Sequence, residues 1–264
     1  MYKLGILGLG KMGSSILEGI LSYGIYKKEE ILLGLHSEEK LIKYNNDGYN
    51  GTINPDDIFG DCEIVLLAIK PQTFEEACKT AKNFDFKSRC IISIMAGVKI
   101  ETLSNFFKNA SIFRTMPNTP ALINSGVTTI CTNFENKYED TVKEIFDSIG
   151  HSYLITEDLM DATLPLNGSM PAYLYLFAKS FIDIAVKNGV DYETAKKLTA
   201  ESIISSSKMI LSSPDSIDTL INNVCSKGGT TIAGLYELYD NNFKEAVEKC
   251  YDACYRRSIE LAKK

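Results

Sequence analysis

Residues 3–13, KLGILGLGKMG, run an apolar stretch into three glycines spaced G-x-G-x-x-G and then into a helical pattern. Each glycine of that set has a physical use. Gly8 permits a tight turn, Gly10 lets a pyrophosphate come up to the backbone, and Gly13 lets the helix lie close against the strand. The next apolar residues, Met12, Ile16, Leu17, Ile20 and Leu21, fall on one face of a helix. Strand, glycine turn and helix in succession confine this region to a parallel α/β arrangement with an anion site at the helix N-terminus. A glycine turn that holds no ligand is the plainer alternative.

The rhythm continues. Short apolar runs recur at 31–35, 64–69, 90–95, 111–114 and 126–131, with amphipathic segments between them. Such alternation predicts a parallel sheet with helices on both sides. From about residue 157 strand signals vanish and helical periods take over. Segment 171–187 is apolar around most of its circumference, through Ala172, Leu174, Leu176, Phe177, Phe181, Ile182, Ile184 and Ala185. A region of only ~110 residues can hardly wrap such a helix, so a second copy of the chain is expected to help. Asp191 is the expected N-cap of the next helix, with Ala195, Leu198, Ser202 and Met209 on its inner face. A last helix, Phe243–Leu261, repeats apolar residues at Phe243, Val247, Cys250 and Cys254. The expected division is therefore an α/β domain over 1–156 and a helical domain over 157–264.

Composition narrows the partners. Hydrophobic residues make up 45% and charged residues 23%, enough for a real core, and the net charge of −6 argues against nucleic acid or an anionic membrane. No apolar run approaches the ~18 residues that span a bilayer, and the N-terminus reads as a strand rather than a signal peptide. Seven cysteines without a framework spacing point to reduced thiols and hence to the cytoplasm. Cys250 and Cys254 have no further ligands nearby in sequence, so no metal site is expected.

Three stretches carry candidate chemistry. After the second strand an NAD-binding chain usually places an acid for the ribose hydroxyls, but here Leu35-His36-Ser37 stands there, with acids only at Glu38 and Glu39. That favours NADPH, with NADH as the alternative. No Arg is at hand for the 2′-phosphate, so His36, Ser37 and Lys40 would share it; a solvated loop is the other reading of His36. In RTMPNTP, 114–120, two prolines stiffen a loop at the end of a strand, where Asn118 could offer its amide to a nicotinamide or substrate. A rigid turn with Arg114 in a structural pair is the alternative. In SKGGTTIAG, 226–234, Gly228 and Gly229 precede a helix while Ser226, Thr230 and Thr231 add hydroxyls, a socket for a small carboxylate or phosphate. An ordinary loop with a Thr N-cap competes with it.

Taken together, GLGKMG at 8–13, AIKPQ at 68–72, SIMAGV at 93–98, RTMPNTPAL at 114–122, GSMPAY at 168–173 and SKGGTTIAGL at 226–235 form a specific ordered set. Along nearly its whole length the chain resembles the pyrroline-5-carboxylate reductases, which perform the last step of proline biosynthesis. The resemblance implies a Rossmann-type N-terminal domain followed by an all-α dimerisation domain, in a homodimer or an oligomer of dimers. It also implies hydride transfer from NAD(P)H to the ring C=N of 1-pyrroline-5-carboxylate. By motif, Gly8, Gly10, Lys11, Met12 and Gly13 would lie along the pyrophosphate, and Ala68, Lys70, Pro71, Ala96 and Gly97 along the nicotinamide half. Ser226, Gly228, Gly229, Thr230 and Thr231 would hold the substrate carboxylate, with the Thr231 hydroxyl near the ring nitrogen.

The chemistry of the reaction agrees. A cyclic imine takes a proton near neutral pH and its iminium accepts hydride readily, so orientation matters more than a strong general acid. The only histidines, His36 and His151, lie outside the substrate-end motifs. The chain departs from the family pattern at Lys227, Met170 and Asn167, where Pro, Gly and Ser are usual, and in the missing Arg after the second strand. Two other functions stay open: reduction of a larger cyclic imine carboxylate, and a dinucleotide-binding paralogue without turnover.

Overall fold

Runs such as Ile-Leu-Leu at 31–33 and Ile-Val-Leu-Leu at 64–67 have no polar alternation, the pattern of strands buried on both faces. A computed structural model, which describes residues 1–134 and 137–261, bears this out; residues 262–264 of the expected helical domain lie outside it. Eight strands form one sheet: β1 (Tyr2–Leu7), β2 (Ile31–Gly34), β3 (Asn50–Thr52), β4 (Cys62–Leu67), β5 (Cys90–Ser93), β6 (Ser111–Met116), β7 (Gly126–Thr132) and β8 (Gly150–Leu154). Their order is β3-β2-β1-β4-β5-β6-β7-β8. The first six make the 3-2-1-4-5-6 order of a Rossmann-type sheet, all parallel.

Two features correct the sequence reading. Strands β3 and β8 were not expected, because Asn-Gly-Thr and Gly-His-Ser-Tyr-Leu hold no apolar run. And β7 runs antiparallel to β6, with β8 parallel to β7. The connection over residues 117–125 is shorter than the roughly dozen residues a parallel crossover needs, so the chain must turn back.

Helices α1 (Lys11–Ser22), α2 (Glu38–Asn46), α3 (Pro55–Asp61), α4 (Phe74–Ala77), α5 (Ile100–Phe106) and α6 (Glu139–Asp147) accompany this sheet. Strand alternation splits the core in two. Leu4 and Ile6 of β1 pack in one cluster with Ile16, Ile20, Phe113 and Phe146. Leu7 of β1 joins the other, with Val65, Leu67, Phe59, Phe86 and Phe107. Burial pushes the thiols of Cys62, Cys78 and Cys131 up to about 12, so none is a thiolate near neutral pH.

Then come α7 (Met160–Thr163), α8 (Met170–Lys187), α9 (Tyr192–Ser212), α10 (Ile217–Val224), α11 (Thr230–Asp240) and α12 (Phe243–Leu261). Packing divides the chain into two compact units, Met1–Pro171 with the segment from Cys254, and Ala172–Ala253. The boundary thus falls inside α8 and α12. The chain's rhythm changes at 157, but residues 157–171 stay with the sheet; Met160 is buried in the second core cluster.

In the helical unit Asp191 caps α9, its side chain accepting the Thr194 N–H at 3.0 Å. The expected inner face of α9 is buried only at Ala195, whereas Leu198 and Met209 are more than half exposed. Along α8 only Pro171 is buried, and Leu176 is 67% exposed. A unit of about 80 residues offers no second layer to cover these faces. No described helix is long and apolar enough to cross a membrane.

Candidate active site

Strands β1, β2, β4, β5 and β6 run parallel, so the loops that follow them gather at one edge of the sheet, where open α/β sheets bind ligands. The glycine turn lies there. Gly8 has φ +98°, and a Cβ at that position would meet the Ala68 carbonyl oxygen at 2.8 Å. A Cβ at Gly13 would run into the Gly8 carbonyl oxygen, which is why the helix start can press against the turn. Gly10 differs from both: nothing lies within 4 Å of where its Cβ would be. It is the N-cap of α1, with no side-chain cap and no acidic residue in the first turn. The free N–H groups and the positive end of the helix therefore face a cradle that a side chain would fill. That is a fit for the pyrophosphate of a dinucleotide.

The neighbouring loops follow suit. The Ala68 N–H donates to the Leu7 carbonyl at 2.9 Å, which carries β4 alongside the glycine turn. Lys70 is exposed and caps the single turn Pro71–Thr73. Beyond β5, Ala96 is exposed and Gly97 takes φ +79°. Beyond β2, His36 is exposed, and Ser37 caps α2 by accepting the Lys40 N–H at 3.4 Å. A hydroxyl used this way can still donate its own proton.

Asn118 has another task. It is 7% exposed; its Oδ1 accepts the Val127 N–H at 2.8 Å and its Nδ2 donates to the Asn167 carbonyl at 3.1 Å. Asn167 in turn donates from Nδ2 to the Met116 carbonyl at 2.9 Å and to Thr129 Oγ1 at 3.3 Å. The two amides tie the proline loop to β7, as the rigid-turn alternative has it. The same holds for Arg114, which is buried and lies 3.3 Å from Glu157 Oε1 and 3.7 Å from Asp161 Oδ1. Sequence reading missed Glu157, Asp161 and Ser258, whose hydroxyl donates to Asp161 at 2.6 Å. Partners 43 and 97 positions apart leave no local spacing to read.

In the helical unit the second glycine motif opens α11. Gly229 is its N-cap, again without a side-chain cap, so a Thr does not fill that role. Gly228 takes φ +73°, and the Gly229 N–H donates to the Ser226 carbonyl at 3.0 Å. Ser226 and Thr230 are exposed. Lys227, Gly228 and Gly229 line a concavity of about 270 Å³ with Ile232, Ala233 and Tyr236. Thr231 lines a second groove, of about 420 Å³, with Ser206, Met209, Leu220 and Leu235. Helical period explains the split: 229, 232, 233 and 236 form one face, while 231 and 235 lie on another.

Comparison with known proteins bears on the whole arrangement. A family model described as pyrroline-5-carboxylate reductase dimerisation matches residues 157–261. A second, described as NADP oxidoreductase, coenzyme F420-dependent, matches residues 3–97. Pyrroline-5-carboxylate reductase 2 of Bacillus subtilis is 32% identical, over 99% of this chain and 95% of its own length. The Haemophilus influenzae pyrroline-5-carboxylate reductase is likewise 32% identical, over 98% and 97%. The crystal structure of Plasmodium falciparum pyrroline carboxylate reductase with NADP bound superposes with a TM-score of 0.87 at 33% identity, covering 99% of this chain and 98% of that one. Likeness of this degree runs through the sheet and the helical region alike, and by it the chain belongs to the pyrroline-5-carboxylate reductase family.

Proposed function

We propose that this chain reduces 1-pyrroline-5-carboxylate to L-proline with NADPH, the last step of proline biosynthesis, in the cytoplasm. The observation that carries the reading is the pair of glycine-lined helix N-termini, α1 and α11, that no side chain caps. One suits a pyrophosphate and the other a small carboxylate. The NADP held by the Plasmodium relative supports NADPH over NADH.

In this reading residues 1–156 hold the dinucleotide, and 157–264 hold the substrate and build a homodimer. Gly8, Gly10, Lys11, Met12 and Gly13 line the pyrophosphate, while His36, Ser37 and Lys40 serve the ribose phosphate. Ala68, Lys70, Pro71, Ala96 and Gly97 flank the nicotinamide, with Asn118 acting from behind as a loop tie. The bound NADPH supplies a hydride. Ser226, Gly228, Gly229 and Thr230 orient the ring by its carboxylate, and Lys227 adds a positive charge beside them. The Thr231 hydroxyl, in the first turn of α11, reaches over the helix start from its own groove and accepts a hydrogen bond from the ring nitrogen, which reaches the reaction already protonated from solvent near neutral pH. Orientation of two partners is the main service of the protein, and no strong acid is needed.

Loss of absorbance at 340 nm on mixing the protein with pyrroline-5-carboxylate tests this, with NADPH and NADH in parallel and a piperideine carboxylate as second substrate. The expected result is substrate-dependent oxidation, faster with NADPH and with the five-membered ring. Thr231→Ala should lower kcat/KM by roughly 10- to 100-fold, the worth of a hydrogen bond to a charged group. An unchanged kcat/KM removes its role. A folded, NADPH-binding protein that oxidises nothing would instead be the paralogue without turnover.

A further inference from the structure

We infer that Arg114 is a positioning residue for the nicotinamide turn at Ala96 and Gly97, acting through two carboxylates; the inference rests on the role given to that turn above. Arg114 stands on β6 with its side chain 5% exposed, and its two arms point to Glu157 and Asp161. The Glu157 oxygen that faces the guanidinium also accepts the Ile100 N–H at 2.8 Å, and Ile100 is the first residue of α5. The turn therefore ends on a carboxylate that Arg114 holds. Its other end is tied by the Met95 N–H, which donates to Ser93 Oγ at 3.3 Å. Between these ties Gly97, at φ +79°, imposes little shape of its own.

The second arm closes the arrangement. Asp161 Oδ1 accepts the Ser258 hydroxyl at 2.6 Å, so the last turns of α12 share the oxygen that the guanidinium faces. A cavity of about 20 Å³ is lined by Ala96, Gly97, Arg114, Asp161 and Ser258 among others, which places the turn beside the Arg114–Asp161 pair. A buried guanidinium is costly to keep, and an apolar side chain would serve packing alone equally well. What the planar fork adds is two carboxylates held at set positions. Arg114 touches neither substrate nor reacting atoms in this scheme and moves no proton.

The test uses Arg114→Lys, which keeps the charge but loses the fork, and Glu157→Gln, which keeps an acceptor for Ile100 but loses the charge. Phe146→Leu, in the other core cluster, serves as a control for general loss of stability. Hydrogen exchange of amides 96–100 is followed without cofactor, and the NADPH Kd is measured by fluorescence titration. Both Arg114→Lys and Glu157→Gln should speed exchange in the turn and raise the Kd about tenfold, with KM for pyrroline-5-carboxylate within about twofold of wild type. Phe146→Leu should change neither. Unchanged exchange and Kd overturn the inference, as do shifts that Phe146→Leu reproduces at equal loss of Tm. Faster exchange with a wild-type Kd also overturns it, since the turn would then be held for the fold alone. A wild-type chain that fails to bind NADPH sinks the reading of the turn itself, and the inference with it. Should Arg114→Lys not fold, Glu157→Gln decides alone.

Discussion

Phe59 on α3 is fully buried, whereas Leu211 on α9 is 83% exposed. The contrast extends to their surroundings. In the sheet-bearing unit Phe59 meets Phe84, Phe86 and Phe107 edge to face, at centroid distances of 5.8–6.3 Å. In the helical unit Phe177 and Phe181 stack on each other at 4.9 Å, yet Phe181 is half exposed. A twisted sheet with helices to pack on it can close its own core. Five helices in a row, joined by short turns, leave apolar faces that only another surface can cover. Dimerisation is thus what completes the second region, and the family model that matches it carries that word.

The comparison breaks most sharply at Phe59. Phe59→Ala should cost about 3–5 kcal/mol, much of a domain's stability, read from the denaturant midpoint of the sheet unit. A loss below about 1 kcal/mol would mean that this core is not closed. In the helical unit the sensitive quantity is assembly. Phe181→Asp leaves the single chain little changed, because that side chain is already half exposed. Across a covered interface it should weaken association by roughly 2–4 kcal/mol, seen as a fall in mass by light scattering and a loss of turnover. An unchanged mass would show that the α8 face is not what the second copy covers. The smallest effect is expected at Gly10, where a Cβ meets nothing. Gly10→Ala should shift stability by less than about 0.5 kcal/mol yet weaken NADPH binding about tenfold, or about 1.4 kcal/mol. Equal binding by the variant would mean that no phosphate approaches the backbone there.

How much of this was legible in sequence varies with the range of the interaction. The strand-glycine-helix start, the six apolar strands and the Asp191 cap all rest on neighbours along the chain, and all are found. The bare face of α8 was foreseen for the same reason, since an apolar circumference is a local property. Strands β3 and β8 were missed because their pairing comes from the neighbouring strand and not from their own residues. Asn118 could be read as an open amide or as part of a rigid turn, and what decides for the turn is Val127, nine residues on across the chain reversal, and Asn167, 49 residues on. Thr231 shares a motif with Gly228 and Gly229, but which groove each residue lines follows from the helical turn and not from their order in the chain.

The class of fold, the two glycine-lined helix starts and the need for a second copy are all written in short stretches of sequence. Each follows from backbone freedom or apolar period, which a few adjacent residues settle. Packing in three dimensions settles that β7 turns back antiparallel, that residues 157–171 pack with the sheet, and that Arg114 gathers Glu157 and Asp161. Those depend on loop length against strand spacing and on charges brought together from far along the chain, where burial makes a pairing obligatory without marking it in any local pattern.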